Sequence, residues 1–80
     1  QIVSHDELAK VSKETAINLA NGATKAYGAV KSLLAETFSS SLESHLEQEA
    51  RQLNIRAQSS DGKEGVKAFI EKRKANFTGK

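Results

Sequence analysis

The sequence predicts an all-α fold built from three to four amphipathic helices. Apolar residues recur three and four positions apart along most of the 80 residues, which is the spacing of a helix with one apolar face. Breaks rich in glycine or serine divide this pattern into segments of helical length. No stretch alternates between apolar and polar residues for long enough to form a sheet, so helices are the only regular structure that we expect.

The first helix is predicted over residues 5–21, after a short β-prone lead-in at residues 1–3. Ser4 and Glu7 have the spacing of a capping box, in which each side chain accepts a hydrogen bond from the other's backbone N–H. Asn21-Gly22 is typical of a helix end, because both residues adopt left-handed backbone angles readily. The residues of the predicted apolar face are Leu8, Val11, Thr15, Ala16, Leu19 and Ala20.

The second helix is predicted over residues 25–38, with Thr24 as its cap and Gly28 as a weak point within it. Ser40 and Glu43 again have capping-box spacing and begin a third helix over residues 41–58. The predicted buried face of the second helix comprises Ala26, Val30, Leu33 and Leu34. The narrow apolar stripe of the third helix comprises Leu42, Leu46, Ala50, Leu53 and Ala57.

A fourth helix is predicted over residues 61–73, followed by a basic, aromatic tail at residues 74–80. Asp61 and Glu64 form a third capping-box pattern, with both acids at the positive end of the helix dipole. The cations of its last turn suit the negative end of the dipole. These cations are Lys72, Arg73 and Lys74, and the apolar face of the helix comprises Val66, Phe69 and Ile70.

Composition predicts that this chain needs a partner surface. Alanine makes up much of its hydrophobic fraction, and no cysteine is present to form a disulfide or a thiolate site. No run of eighteen apolar residues occurs, so no membrane span is predicted. The net charge of +2 is unevenly placed, with an acidic middle and a basic end. This asymmetry indicates either an anionic partner for the basic end or an ordinary solvated surface.

Neither a catalytic residue nor a metal site is predicted. The acids Glu43, Glu47 and Glu49 fall on a polar helix face, where solvated surface is the usual role. His45 and Glu49 are four residues apart, but a zinc site needs three or four protein ligands. His5 is interpreted as a surface residue, and the serines at 39–41 have no partner base that would activate a nucleophile.

The last twenty residues resemble the C-terminal end of the enoyl-CoA hydratase/isomerase (crotonase) superfamily. That superfamily closes on the pattern E-G-x-x-A-F-x-E-K-R-x-x-x-F. Every fixed position of the pattern is matched here, by Glu64, Gly65, Ala68, Phe69, Glu71, Lys72, Arg73 and Phe77. The stretch Gly22–Leu34 resembles the second helix of the same region, except that Ala23 replaces the usual proline.

The resemblance implies that the chain is the C-terminal oligomerisation region of a crotonase-type fold whose α/β spiral core is absent. The parent would be an enzyme acting on acyl-CoA thioesters, a lyase or an isomerase, with its oxyanion hole and catalytic carboxylates in that core. Coenzyme A would be part of the substrate, and no separate cofactor is expected. The expected assembly is a homo-oligomer, a trimer or a dimer of trimers, without nucleic acid or membrane. The expected compartment is the cytoplasm, or the mitochondrial matrix if the source is eukaryotic.

Phe69 and Lys72 are the predicted contacts to coenzyme A. In members of the family, the matching Phe and Lys reach the adenine and phosphate end of a CoA that a neighbouring subunit's core binds. Three residues apart on one helix, a ring and an ammonium project from adjacent points of its surface. From the residues alone, the preferred explanation of Phe69 is a place in the core beside Val66 and Ile70, and only the resemblance favours the CoA contact. Phe77 and Lys80 are weaker candidates for the same contact.

The sequence also permits a function from another class of protein. The chain could be an independent helical binding module whose basic end docks on a nucleic acid or an acidic protein. Binding to phosphates would then fall steeply with added salt. Against this alternative, the four aromatic residues are not interleaved with the cations as a base-stacking platform requires.

Overall fold

The computed structural model describes residues 1–80 as four α-helices without a strand, which confirms the predicted all-α class. The helices are α1 (Leu8–Ala20), α2 (Thr24–Glu36), α3 (Leu42–Gln58) and α4 (Ser60–Ile70). None of them combines the length and the apolar character that crossing a membrane would demand.

The first two helices differ from their predicted bounds because the expected caps do not form. α1 begins at Leu8 rather than residue 5, since Ser4 and Glu7 close a turn ahead of it. The Glu7 N–H donates to the Ser4 carbonyl at 3.2 Å, and the Ser4 hydroxyl donates to the Glu7 carboxylate at 2.8 Å. α2 begins at Thr24, one residue early, and ends at Glu36 rather than residue 38. Its Ncap is Ala23, without a side-chain cap.

Serine hydroxyls cap the other two helices, one and two residues away from the predicted positions. The Ser41 hydroxyl accepts the Ser44 N–H at 3.2 Å and begins α3. The Ser59 hydroxyl accepts the Gly62 N–H at 2.9 Å and begins α4. Asp61 therefore lies inside the first turn of α4 instead of capping it, which frees its carboxylate for other partners. Gly62 is required here, because a β-carbon would collide with the backbone carbonyl of Arg56.

The helices form an open arrangement in which α3 packs against both α2 and α4. α1 packs against none of the other helices to a comparable extent. The chain measures 47 × 36 × 19 Å, with a radius of gyration of 16.1 Å. A compact domain of this length would have a radius of gyration of about 12 Å. The chain alone is therefore not a closed bundle.

The packed face of α3 is its polar face. The half-buried residues of this helix are His45, Gln48, Gln52 and Arg56. The apolar stripe predicted for α3, which we call the outward stripe (Leu42, Leu46, Ala50, Leu53 and Ala57), is exposed instead. Leu42 and Leu53 retain 70% and 65% of their accessible surface. This orientation leaves α3 with an uncovered apolar surface, although burying such side chains is the main driving force of folding.

α2 and α4 show the same orientation in part. On α2, the predicted face divides, because Ala26 and Leu33 are half-buried while Val30 and Leu34 are exposed. On α4, the predicted apolar face of Val66, Phe69 and Ile70 is exposed throughout. Its opposite face is packed, with Ala68 as the only buried apolar residue of the chain and Asp61 buried beside the C-terminal segment.

The predicted face of α1 is also uncovered. It lines an open groove of about 390 Å³ together with the extended residues at the start of the chain. The groove is lined by Gln1, Val3, Leu8, Val11, Ser12, Thr15, Ala16 and Leu19. The accessible surface of the whole chain is 6697 Å², against about 4,700 Å² for a compact monomer of this mass. The excess of about 2,000 Å² exceeds what each partner contributes to a standard protein interface.

Candidate functional site

Residues 74–80, the C-terminal segment, fold back along α4. The carboxylate of Asp61, in the first turn of α4, accepts the backbone N–H of Thr78 at 2.7 Å and that of Gly79 at 2.8 Å. The Thr78 hydroxyl adds a third hydrogen bond to Asp61 at 3.3 Å, and the Asp61 N–H donates to the Lys80 carbonyl at 2.9 Å. The predicted tail is therefore held by its own helix, although it has no helical or strand structure of its own.

Phe77 anchors the C-terminal segment on α4 and lines a pocket between three helices. Its half-buried ring lies over Gly65 of α4, where a β-carbon would reach the ring at 3.5 Å. The ring also lines a pocket of about 310 Å³ between the starts of α2 and α4 and the end of α3. Ala23 and Ala26 of α2 and Arg56 of α3 line the same pocket. Phe77 thus packs on α4 and faces α2 across this pocket.

An ion-pair network spans the turn that follows α4. The Arg73 guanidinium donates to both carboxylate oxygens of Glu64, at 2.6 and 3.0 Å. The same guanidinium donates to Glu71 at 2.6 Å and to the Lys74 carbonyl at 3.2 Å. Glu64 also accepts the backbone N–H of Asn76 at 2.9 Å. Such two-pronged contacts fix orientation as well as distance.

These contacts shift the pKa values of the groups that make them. The pKa of Glu64 is lowered from 4.5 to about 2, mainly by the hydrogen bonds from the Arg73 side chain and secondly by the hydrogen bond from the Asn76 N–H. The hydrogen bond with Glu64, followed by that with Glu71, raises the pKa of Arg73. The backbone N–H of Thr78 is the main cause that lowers the pKa of Asp61. All three groups are therefore charged throughout the physiological pH range.

α4 ends in a Schellman motif, with Lys72 at the position where the backbone reverses. The Arg73 N–H donates to the Ala68 carbonyl at 3.0 Å, and the Lys72 N–H donates to the Phe69 carbonyl at 3.2 Å. Lys72 has a φ of 53°, and it is the only residue other than glycine with a positive φ. Glycine is usual at this position, and a residue with a β-carbon costs about 1 kcal/mol there.

The geometry of Phe69 and Lys72 therefore differs from the predicted one. Because α4 ends at Ile70 rather than residue 73, Lys72 does not lie on the helix surface, and helical spacing does not set the direction of its side chain. The two residues are instead joined through the backbone hydrogen bond of the Schellman turn. Phe69 retains 84% of its accessible surface, and Lys72 is exposed as well. Neither side chain belongs to a core of this chain.

The four predicted CoA contacts are spread along α4. Phe69 and Lys72 lie at its C-terminal end, the ring of Phe77 lies over Gly65 in its middle, and the backbone of Lys80 is held by Asp61 in its first turn. An 11-residue helix is about 16 Å long, and the four residues are distributed over most of this length. The side chain of Lys80 is exposed.

The remaining polar candidates have ordinary structural surroundings. Glu43, Glu47 and Glu49 are exposed, and Glu47 pairs with Arg51 at 3.3 Å. His5 is exposed, and the Ser39 hydroxyl donates to the carbonyl of Glu36 at 3.2 Å. His45 is half-buried, and no three His, Asp or Glu side chains come together as metal ligands would.

The chain is therefore an open helical segment whose C-terminal segment is packed and whose apolar faces are largely exposed. The whole chain, residues 1–80, matches the enoyl-CoA hydratase/isomerase family and belongs to it. This membership confirms the resemblance that the terminal motif indicated.

Individual relatives come from the same family and are considerably longer. A probable enoyl-CoA hydratase of Rhodobacter capsulatus is 43% identical over 65 residues, which are 81% of this chain and 25% of the relative. The 1,2-epoxyphenylacetyl-CoA isomerase of Escherichia coli K12 is 32% identical over 80 residues, all of this chain and 30% of the relative. The chain thus spans about a quarter to a third of the length of these curated relatives.

A solved structure shares the fold of the segment. An enoyl-CoA hydratase from Geobacillus kaustophilus superposes with a TM-score of 0.83 at 33% sequence identity. The match covers 94% of this chain and 28% of that protein. The arrangement of the four helices is therefore the one that this part of a family member adopts.

Proposed function

We propose that this chain is the C-terminal region of an enoyl-CoA hydratase/isomerase-type enzyme that acts on acyl-CoA thioesters. In this proposal the helices join subunits, and the end of α4 covers the nucleotide part of coenzyme A. The catalytic groups belong to an α/β core outside these 80 residues, so none of the residues described here is assigned to catalysis. The membership of all 80 residues in the family does not favour the alternative of an independent binding module.

The assembly role is supported chiefly by the orientation of α3. Its polar face is packed within the chain, while the outward stripe is exposed. A soluble monomer seldom exposes a continuous apolar surface of this extent, since an uncovered patch favours association. The excess accessible surface of about 2,000 Å² would suffice for a core and a neighbouring subunit together. We infer that sister subunits cover part of it, in a trimer or a dimer of trimers.

The nucleotide-covering role is supported by Phe69 and Lys72 at the end of α4. An aromatic ring with 84% of its surface exposed provides a face for adenine, and an exposed ammonium provides a charge for a phosphate. Both groups lie at one end of the chain and belong to no core here. In the proposed assembly they reach coenzyme A that is bound by the core of a neighbouring subunit.

Sedimentation equilibrium of the full-length protein tests the assembly role, with Leu53→Glu as the variant. Leu53 belongs to the outward stripe, so a charge there is solvated in the free segment and is unfavourable only under a partner surface. We expect the native protein at three or six subunits and the variant at a smaller mass. The matched control is Arg51→Gln, which changes an exposed charge of the same helix and should leave the mass unaltered.

Equal masses for the native protein and for Leu53→Glu would argue against the assembly role. A full-length protein that is fully active as a monomer would argue against it independently of any variant.

A further inference from the structure

The backbone of Lys72 has a conformation that its side chain does not favour. With a φ of 53°, it occupies the left-handed region that glycine adopts most readily. Residues other than glycine that adopt this conformation often lie at functional sites, where the surrounding structure maintains it. At this position, where glycine is usual, the chain has an exposed lysine.

The residues on both sides of Lys72 are fixed by the Glu64–Arg73 network. Arg73, directly after it, is held by both oxygens of Glu64 at 2.6 and 3.0 Å. Glu71, directly before it, accepts from the same guanidinium at 2.6 Å. Lys72 itself forms no ion pair with the chain, and only its backbone N–H is engaged, by the carbonyl of Phe69 at 3.2 Å.

The network therefore restrains the backbone at Lys72 without engaging its ammonium. Glu64 lies in α4, nine residues before Arg73, so the contact ties the turn to the helix body. The Asn76 N–H, which also donates to Glu64 at 2.9 Å, extends the restraint to the far side of the turn. Arginine suits this role because its planar guanidinium can bind three acceptors at fixed angles.

We propose that Glu64 and Arg73 are positioning residues that hold Lys72 in its left-handed conformation, so that its ammonium meets the 3′-phosphate of coenzyme A. This inference rests on the proposed function, in which Lys72 is the phosphate contact. Glu64 and Arg73 do not touch the ligand. Their contribution is to reduce the conformational freedom that Lys72 would otherwise lose when the phosphate binds.

The ratio of two dissociation constants measures this contribution in the full-length protein. Calorimetric titration with coenzyme A and with 3′-dephospho-coenzyme A gives the discrimination that arises from the phosphate. We expect the native protein to discriminate about tenfold, the effect of one charge-assisted contact. Glu64→Gln should lower the discrimination to about twofold, while the dissociation constant for 3′-dephospho-coenzyme A remains within about twofold of the native value.

Three further variants make the interpretation specific. Lys72→Ala should remove the discrimination, and combining it with Glu64→Gln should remove no more, because the two residues act through one contact. Arg73→Lys keeps the charge but loses the planar fork, and it should resemble Glu64→Gln. Glu47→Gln, which breaks the exposed 3.3 Å pair with Arg51, is the matched control and should leave the discrimination at its native value.

The outcomes separate this inference from the proposed function. If Lys72→Ala retains the discrimination, the proposed phosphate contact is wrong and the positioning role is refuted with it. If Lys72→Ala removes the discrimination while Glu64→Gln and Arg73→Lys retain it, only the positioning role is refuted. If Glu64→Gln and Arg73→Lys weaken the binding of coenzyme A and of 3′-dephospho-coenzyme A equally, or if neither variant folds, Glu64 and Arg73 have a purely structural role. Either result would also refute the inference.

Discussion

Replacing Lys72 by glycine should stabilise the protein and weaken its binding of coenzyme A. The left-handed backbone of Lys72, with a φ of 53°, costs about 1 kcal/mol with a β-carbon present. Glycine relieves most of this cost, although it increases the entropy of the unfolded chain. The matched variant is Lys72→Ala, which removes the ammonium but keeps the β-carbon and its steric cost. The difference between the two variants therefore isolates the backbone contribution.

Differential scanning calorimetry of the full-length protein provides the measurement. After the entropy of the unfolded chain is subtracted, a net gain of about 0.5 kcal/mol remains, which corresponds to a midpoint higher by about 1–2 °C for a protein of 150–250 residues. We expect this rise for Lys72→Gly relative to Lys72→Ala, together with the same loss of affinity for coenzyme A in both. A Lys72→Gly variant that melts no higher than Lys72→Ala would refute the argument that the turn is strained.

Three other perturbations test the contacts around α4. Ser59→Ala should destabilise α4 by about 1 kcal/mol, since the Gly62 N–H loses its cap, and Ser59→Thr should restore most of it in thermal melts. Phe77→Ala should cost about 1 kcal/mol for a half-buried ring and should accelerate amide exchange at Thr78, whereas unchanged exchange would contradict the anchoring role. The pKa of Glu64 is about 2 in the folded protein, against an ordinary value of 4.5. The ionised carboxylate therefore contributes fully to the free energy of unfolding above pH 4.5, and this contribution is lost as the pH falls toward 2. Thermal midpoints between pH 5 and 2 should therefore fall more steeply in the native protein than in Glu64→Gln, and parallel curves would contradict the assignment.

The existence and order of the helices could be predicted from the sequence because the apolar period is local information. Their exact starts could not, because competing polar residues lie side by side. Ser59 and Asp61 are both good caps, and the extended backbone of Ser59, with a ψ of 161°, decides in favour of the serine. That outcome releases the Asp61 carboxylate to receive the C-terminal segment.

The turn after α4 could not be predicted, because its usual signal is absent. A glycine at position 72 would have indicated a helix end, whereas the run of cations suggested that the helix continues. The contact between Glu64 and Arg73 depends on that turn, since nine residues along a continuous helix would separate them by about 13 Å. Gly79, with a φ of 77°, was the only local indication that the chain bends again near its end.

The direction in which the apolar faces point could not be predicted from the sequence. Periodicity locates an apolar stripe on α3 but does not identify the surface that covers it. Within these residues, the side chains of His45, Gln48 and Gln52 face the neighbouring helices, and Leu42 and Leu53 do not. This orientation leaves an apolar surface on α3 that the chain itself does not cover. In the proposed account, a core and neighbouring subunits cover this surface.

The mass of the full-length protein in solution tests that account most directly. Sedimentation equilibrium should give three or six subunits, with the exposed faces of these four helices covered by their neighbours. A single subunit with complete activity toward an acyl-CoA thioester would contradict it.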